Sequence, residues 1–379
     1  MNASAPTPTP ATQPRRRGRR WWKWGLGVVG MLAVVLIAAR LMLPYWIEGY
    51  VNRTLDRSPD YTGSIGDINV HLWRGAYTIH DIQIDKRTHA VPVPFFESPR
   101  VDFSLSWHAL WNGQARGKIE MDSPRLNFVQ GPSSGQSQTG ANQPWLSIID
   151  DLYPFRIDRA LINDGEIHFE AFHKDPQVDV YLSEVQATLE NLTNVQDRTD
   201  PLIATVKASG TAMDTGSFEF SMSLDPESRL PSFDMAARLL NVDVRKLNAL
   251  ALAYGDFDFE QGLFDLVVEM TSREGHVEGY VKPLFRGVRV LSISDVRADD
   301  PLQLLWETVV GIVGAIFKNQ SRDQFGTRIT LVGDLSDPST SLLEIIGNVL
   351  RNAFVRAYLP RIEGRVAPGQ LAPDTDVSR

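Results

Sequence analysis

Cysteine, histidine, serine and paired carboxylates are the side chains that most often do chemistry, and in this chain their spacing assembles no familiar reaction. None of the 379 residues is a cysteine, which excludes a disulfide framework, a thiolate metal site and a cysteine nucleophile. The seven histidines are His71, His80, His89, His108, His168, His173 and His276, and none makes the His-Glu-x-x-His pattern or another ligand spacing that would hold a metal. His71, His80 and His168 fall at polar positions of alternating segments and are expected to face solvent. No glycine-rich loop ends in the Lys-Ser/Thr of a phosphate cradle, so nucleotide hydrolysis is disfavoured. The carboxylates Asp150-Asp151, Asp256/Asp258/Glu260 and Asp299-Asp300 would suit glycoside hydrolysis only if two of them flanked a cleft. Asp256, Asp258 and Glu260 alternate with Phe257 and Phe259, which reads as the wet side of a strand. The expectation is a protein without catalytic residues, metal or cofactor.

Charge and hydropathy are more informative about where the chain resides. Residues 1–24 are Pro/Thr/Ala-rich at first and carry six basic and no acidic residues, leaving 32 basic against 46 acidic on the remainder. That acidic remainder excludes a nucleic-acid partner by charge. The basic residues Arg15, Arg16, Arg17, Arg19 and Arg20, with Trp21, Trp22 and Trp24, form an interfacial collar on a disordered head. Residues 25–43 are apolar except for Arg40. At about 1.5 Å per residue they span roughly 28 Å, close to the hydrocarbon thickness of about 30 Å. Arg40 can snorkel at the far end, and Tyr45 and Trp46 supply a second aromatic belt. A cleaved signal peptide would want small residues at both cleavage-defining positions, whereas the pair before Arg40 is Ile37 and Ala39. The reading is therefore one retained transmembrane helix with the head in the cytoplasm and residues from 47 onward on the outer side. The run Leu302 to Phe317 is shorter and interrupted by Gln303 and Glu307, and reads as a packed or interfacial helix.

Beyond the anchor the apolar period is two. Val101-Phe103-Leu105-Trp107, Phe218-Phe220-Met222-Leu224, Phe233-Met235-Ala237-Leu239, Phe264-Leu266-Val268-Met270 and Phe325-Thr327-Ile329-Leu331 read as strands. Shorter runs, among them Ile167-Phe169, Val178-Val180 and Val185-Ala187-Leu189, read likewise. The slip between Ile79 and Ile82 predicts a bulge or break at His80 and Asp81. Gly75, Asp164-Gly165, Gly216 and Gly262 are read as turns between consecutive hairpins, giving a mostly antiparallel, twisted sheet. Helices are expected at Tyr45–Leu55, Ser106–Asn112, Trp145–Leu152, Val244–Tyr254, Pro301–Phe317 and Ser341–Leu359. The last carries an apolar stripe of Leu342, Ile346, Val349 and Ala353 and is the candidate docking helix. Residues 130–143 form a Gly/Ser/Gln linker between β-rich units at 47–129 and 144–361, and 362–379 form a polar tail. The segments Ile-Gly-Asp-Ile-Asn-Val at 65–70 and Ile-Asp-Arg-Ala-Leu-Ile at 157–162 are loosely alike.

Taken together, Leu43-Pro44-Tyr45, Tyr50-Val51-Asn52-Arg53-Thr54-Leu55, Gly63, Ile65-Gly66-Asp67-Ile68, Trp73-Arg74-Gly75 and Ile82-Gln83-Ile84 resemble the start of AsmA-like bacterial envelope proteins. Within that group the likeness is to the short branch carrying a domain of unknown function. Asn191-Leu192-Thr193-Asn194, Leu247-Asn248, Ala253-Tyr254-Gly255, Gly279-Tyr280-Val281-Lys282-Pro283-Leu284-Phe285 and Leu350-Arg351-Asn352-Ala353-Phe354 extend it over nearly all of the chain outside head, linker and tail. The resemblance implies an inner-membrane anchor, a periplasmic β-rich body and a part in moving phospholipid toward the outer membrane.

An amphipathic sheet must cover its apolar face with helices, a second sheet or something that is not protein. Alternation alone leaves a closed sandwich and an open groove equally compatible. If the face is open, Phe218, Phe220, Met222, Phe233, Met235, Phe264, Leu266, Val268 and Met270 are the candidate lipid-lining residues. The expected partners are then membrane phospholipids and envelope proteins. The alternative is a non-catalytic structural or docking protein of an envelope assembly complex.

Overall fold

The computed structural model describes residues 60–71, 75–105, 116–139, 156–191, 204–225, 230, 232–255, 257–293, 324–326, 328–334 and 354–356, with a discontinuous set between 26 and 53. The basic head, most of the anchor, Trp46, the helices expected at 106–112, 145–152 and 301–317, Leu342, Ile346, Val349 and Ala353 of the docking stripe, and the tail lie outside these residues. Among the described residues no helix is long and apolar enough to cross a membrane. Those described between 26 and 53 are helical. They include Leu26, Val28, Val29, Met31, Val34 and Met42, all between 63% and 71% exposed.

Alternation produces strands, as expected, and they join one mixed sheet. In chain order they are β1 (Tyr61–Ser64), β2 (Ile68–His71), β3 (Ala76–Lys86), β4 (Phe96–Leu105), β5 (Arg116–Asp122), β6 (Arg125–Val129), β7 (Arg156–Ala171) and β8 (Val178–Glu190). Then follow β9 (Ala204–Ala212), β10 (Gly216–Leu224), β11 (Phe233–Asp243), β12 (Phe257–Arg273), β13 (His276–Ile293), β14 (Gln324–Gly326), β15 (Arg328–Asp334) and β16 (Phe354–Arg356). The helix α1 (Asn248–Gly255) is preceded by a 3-10 turn at Val244–Leu247, as the apolar run 244–254 predicts. The sheet runs β1-β3-β4-β5-β7-β8-β9-β10-β11-β12-β13-β15-β16, with β2 beside β3, β14 beside β13 and β6 between β4 and β7. Twelve spacings of about 4.8 Å make it about 58 Å wide.

Not every connection is a hairpin. β5 and β6 lie end to end, separated by Ser123-Pro124, and both pair with β7 in parallel. Parallel neighbours need a crossover of a dozen or more residues. The Gly/Ser/Gln stretch after β6 is part of that crossover, and it is packed where described: Gln138 is fully buried and bridges Val129. The sheet is thus continuous across the segment read as a linker.

Several expected turns are irregularities inside long strands. Asp164-Gly165 lies within β7, with Asp164 at φ +55°; Gly165 pairs with Val185 of β8, whose neighbour Glu184 is at φ +52°. Gly262 lies within β12 at φ +129° rather than between strands. At His80 and Asp81 the register of β3 against β4 continues unshifted, yet Asp81 adopts φ +52°. Its opposite residue is Pro99, which has no N–H to give the ladder, and aspartate tolerates the left-handed conformation that results. Phe354–Arg356, expected at the end of a helix, instead form β16 on the edge of β15. Phe and Val are favoured in strands.

Buried side chains gather near both ends of the sheet, and a smaller cluster of Ala212, Met213 and Val242 packs over β8, β11 and β12 between them. Tyr61, Ile79, Ile84, Phe95, Val101 and Ile119 form one cluster over β1–β5. Phe233, Met270, Val277, Val281, Ile329 and Leu331 form another over β11–β15, beside a third built on Phe257, Phe259, Phe285 and Val290. Near this end the simple wet-face expectation fails, because Asp265, Val267, Glu269 and Thr271, on the polar side of β12, are also buried. Asp265 there accepts hydrogen bonds from Asn241 N at 2.7 Å and from Arg286 Nε and Nη2 at 2.8 and 2.9 Å, pinning the β11 bulge to β13.

Gly262 permits the matching bulge in β12: a Cβ there would stand 2.6 Å from Val288 Cα at a φ that L side chains rarely adopt. Gly262→Ala should therefore lower stability by more than about 1 kcal/mol. Gly135→Ala, whose added Cβ meets nothing within 4 Å, should stay within about 0.5 kcal/mol. Urea midpoints of the full-length protein in detergent check both.

Candidate functional site

Strand register decides whether alternating residues make one face or several patches. Here it makes one face. Ile68, Ile79, Val101, Met121, Ile162 and Ala187 are successive register partners across β2, β3, β4, β5, β7 and β8. The same row continues as Ala208, Phe220, Ala237, Val268, Val281, Ile329 and Val355 to β16. A second row, two residues along, contains Ala160, Leu189, Val206, Met222, Met235, Met270, Gly279 and Leu331.

The nine candidate lining residues fall on this face of β10, β11 and β12, but not all are equally available. Phe233 and Met270 are buried within the end cluster. Phe264 lies beyond the β11 bulge and packs on Phe285 with ring centroids 4.9 Å apart. Phe218, Phe220, Met222, Met235, Leu266 and Val268 are half-buried. The middle of the face, between the buried ends, therefore presents large side chains beside the small Ala187, Ala208 and Ala237. Among the described residues no second sheet covers it.

The opposite face of the same strands is polar. A shallow cavity of about 600 Å³ opens over β7–β11, lined by Asn163, Gln186, Thr188, Lys207, Ser209, Glu219, Ser221 and Arg238, among others. Glu219 and Arg238 are direct cross-strand partners. At its β5 edge Asn163 Nδ2 donates to Glu120 Oε1 at 3.1 Å, and Lys118 Nζ to Glu120 Oε2 at 2.7 Å. The Lys118 hydrogen bond is the main cause that holds the Glu120 carboxyl below its usual range, against the effect of burial.

Further along this face, sequence reasoning missed a cluster. Glu166, His168 and Glu170 alternate on β7, and Asp179 of β8 is the register partner of Glu170. His168 Nδ1 lies 2.9 Å from Asp179 Oδ1, and Nε2 lies 3.3 Å from Glu166 Oε2. His168 was expected to face solvent, yet its side chain is 15% exposed and stacks on Tyr181 at 5.3 Å between ring centroids. The Asp179 hydrogen bond outweighs burial and raises the His168 pKa, while burial and the Asp179 charge both raise that of Glu170. Burial pushes Glu166 upward, but hydrogen bonds from Arg125 and His168 overcome it and hold the carboxyl low. The phenol of Tyr181, hydrogen-bonded to Asp214, is pushed up to about 12. The only sequence signal was His-x-Glu on one strand face, with Asp179 nine residues on across a hairpin whose register the sequence does not print.

Asp258 of the aspartate series is partly buried and Glu260 exposed, on a strand with Phe257 and Phe259 buried, as their alternation predicts. Set against known proteins, the chain matches no family model and no curated protein.

Glu120 offers a pH test. Its lowered pKa adds stability above the ordinary value of 4.5, and that stability is lost as pH falls through the depressed folded value. Glu120→Gln should be less stable than wild type at pH 7, and the gap should close as pH drops below 4.5 in urea-midpoint titrations.

Proposed function

We propose that this is a single-pass inner-membrane protein whose periplasmic sheet binds phospholipid acyl chains on its apolar face and passes them on without a catalytic step. The observation that carries the reading is the pair of unbroken apolar rows, buried at both ends of the sheet and half-buried in the middle. Half of a hydrocarbon core of about 30 Å is about 15 Å, the span of three to four strands at about 4.8 Å. The half-buried stretch over β8–β12 is wide enough for an acyl chain laid across it. Phe220, Met222 and Met235 are large and, in the methionines, flexible enough to fit tails of different length.

The energetics favour exchange over trapping. Each methylene removed from water is worth about 0.8 kcal/mol, but a chain leaving a bilayer for the sheet stays dry throughout. The acyl part of the transfer is then close to neutral, and net movement follows the existing concentration difference. The apolar, exposed helical residues near the amino terminus, the basic collar before them and the resemblance to AsmA-like envelope proteins support the membrane setting.

Full-length protein purified in mild detergent should carry phospholipid and should speed exchange of labelled phospholipid between vesicles. A photo-crosslinking residue at Phe220 should capture that lipid, whereas one at Ser221, on the polar face, should capture much less. Met235→Asp and Val268→Asp should reduce bound lipid while Ser221→Asp leaves it unchanged, with circular dichroism checking that the sheet persists. Wild-type protein free of phospholipid and inactive in exchange would overturn the proposal and leave a docking role.

A further inference from the structure

The cluster at the β7–β8 hairpin has more ligand character than a salt-bridge network requires. Suitable atoms of His168, Glu170 and Asp179 all lie within 4.8 Å of one another. Glu170 is only 8% exposed, and its Oε2 has no hydrogen-bond partner. A buried carboxylate oxygen without a partner forfeits its hydration for nothing. Moreover Glu170 directly opposes Asp179, and like charges at paired positions destabilise a sheet. Both defects disappear if a cation sits between the two carboxylates.

We propose that His168 Nδ1, Glu170 and Asp179 form a binding site for one divalent transition-metal ion of the zinc class. One imidazole and two carboxylates suit zinc, cobalt or manganese; calcium would ask for six to eight oxygens. The ion takes the place of the proton between Nδ1 and Asp179 Oδ1. With metal–ligand bonds of about 2.0–2.2 Å the present separation of 2.9 Å needs to open by only a few tenths of an ångström.

The outer arrangement is that of a built site. The other ring nitrogen, Nε2, donates to Glu166, and Glu166 Oε2 is held by Arg125 Nη2 at 2.6 Å. A carboxylate on the far nitrogen fixes ring orientation and tautomer and strengthens the imidazole as a ligand. Asp179, at 48% side-chain exposure, keeps the site open to entry from solvent and leaves a coordination position for water or an anionic oxygen. Glu166 is thus a positioning residue, and the three ligands act directly.

The test uses full-length protein in detergent, stripped with chelator and dialysed against buffered zinc chloride. Wild type should retain one zinc per chain by elemental analysis, release protons on binding, and melt at a higher temperature with zinc than without. Magnesium or calcium at the same concentration should give none of this. Glu170→Gln and Asp179→Asn should lose the bound zinc, Glu166→Gln should weaken affinity by about 10–100-fold, and His276→Gln, at a distant exposed site, should change nothing. Cobalt(II) in the wild-type protein should show visible d–d absorption that zinc displaces, a readout independent of whether any variant folds. Zinc retention in Glu170→Gln equal to wild type, or a wild-type protein with neither zinc-dependent melting shift nor cobalt spectrum, would overturn the site. The second result would mean that Glu170 simply keeps its proton against Asp179. Lipid exchange is not a readout here, so failure of the metal site and failure of the lipid reading are separable.

Discussion

Backbone pairing in register is the constraint on which the rest of this protein depends. Side chains alternate across a strand, so a slip of one residue would move an entire apolar set to the wet face. From Ile68 to Val355 the sheet makes no such slip in its apolar row. It does so although several strands contain residues that break the alternation. Between the pairs Ile162–Ala187 and Ile167–Leu182, β7 and β8 each advance five residues, so the irregularities at Asp164 and Glu184 cancel. Left-handed residues are thus devices that restore parity, and the Asn241 bulge, tied by Asp265 and Arg286, is the best-secured of them.

Much of this was legible in the sequence, for a physical reason. A face half in water forces period two, and period two survives in Phe218-Phe220-Met222-Leu224 or Phe233-Met235-Ala237-Leu239 without any knowledge of partners. What the residues do not encode locally is how a left-handed residue is used. Asp-Gly at 164–165 has the chemistry of a tight turn and of an in-strand bulge alike, and only the length of uninterrupted pairing on either side separates them. Gly262 was misread for the same reason. The parallel pairing of β7 was hidden differently: the crossover it needs is Gly/Ser/Gln-rich, and that composition reads as a linker.

The candidate lining residues share one face of β10, β11 and β12, but burial within that face follows from neighbours. Met270 and Met235 are direct partners, yet Met270 is closed in by β13 and β15 while Met235 is half-buried toward β10. The His168 cluster was invisible because metal-ligand patterns familiar from sequence are helical or lie within short loops. On strands, a ligand set is assembled by cross-strand register, and the partner can be any distance away along the chain.

The two faces of the same strands therefore solve different problems with the same period. On one, identical chemistry at neighbouring positions is additive: each apolar residue shields the next, and large, small and flexible side chains leave a surface whose middle is unfinished. On the other, identical chemistry repels, so charges must alternate or find a counter-charge, as Glu219 does opposite Arg238 and Glu166 does against Arg125. Asp102 opposite Glu120 obeys that rule through Arg100 and Lys118, whereas Glu170 opposite Asp179 leaves a nearly dry carboxylate with one oxygen unpartnered. A proton on Glu170 removes the repulsion, whereas a bound cation converts the same geometry into attraction and also gives the buried oxygen a partner. For that reason the exception on the polar face, like the unfinished middle of the apolar one, points to something beyond the polypeptide.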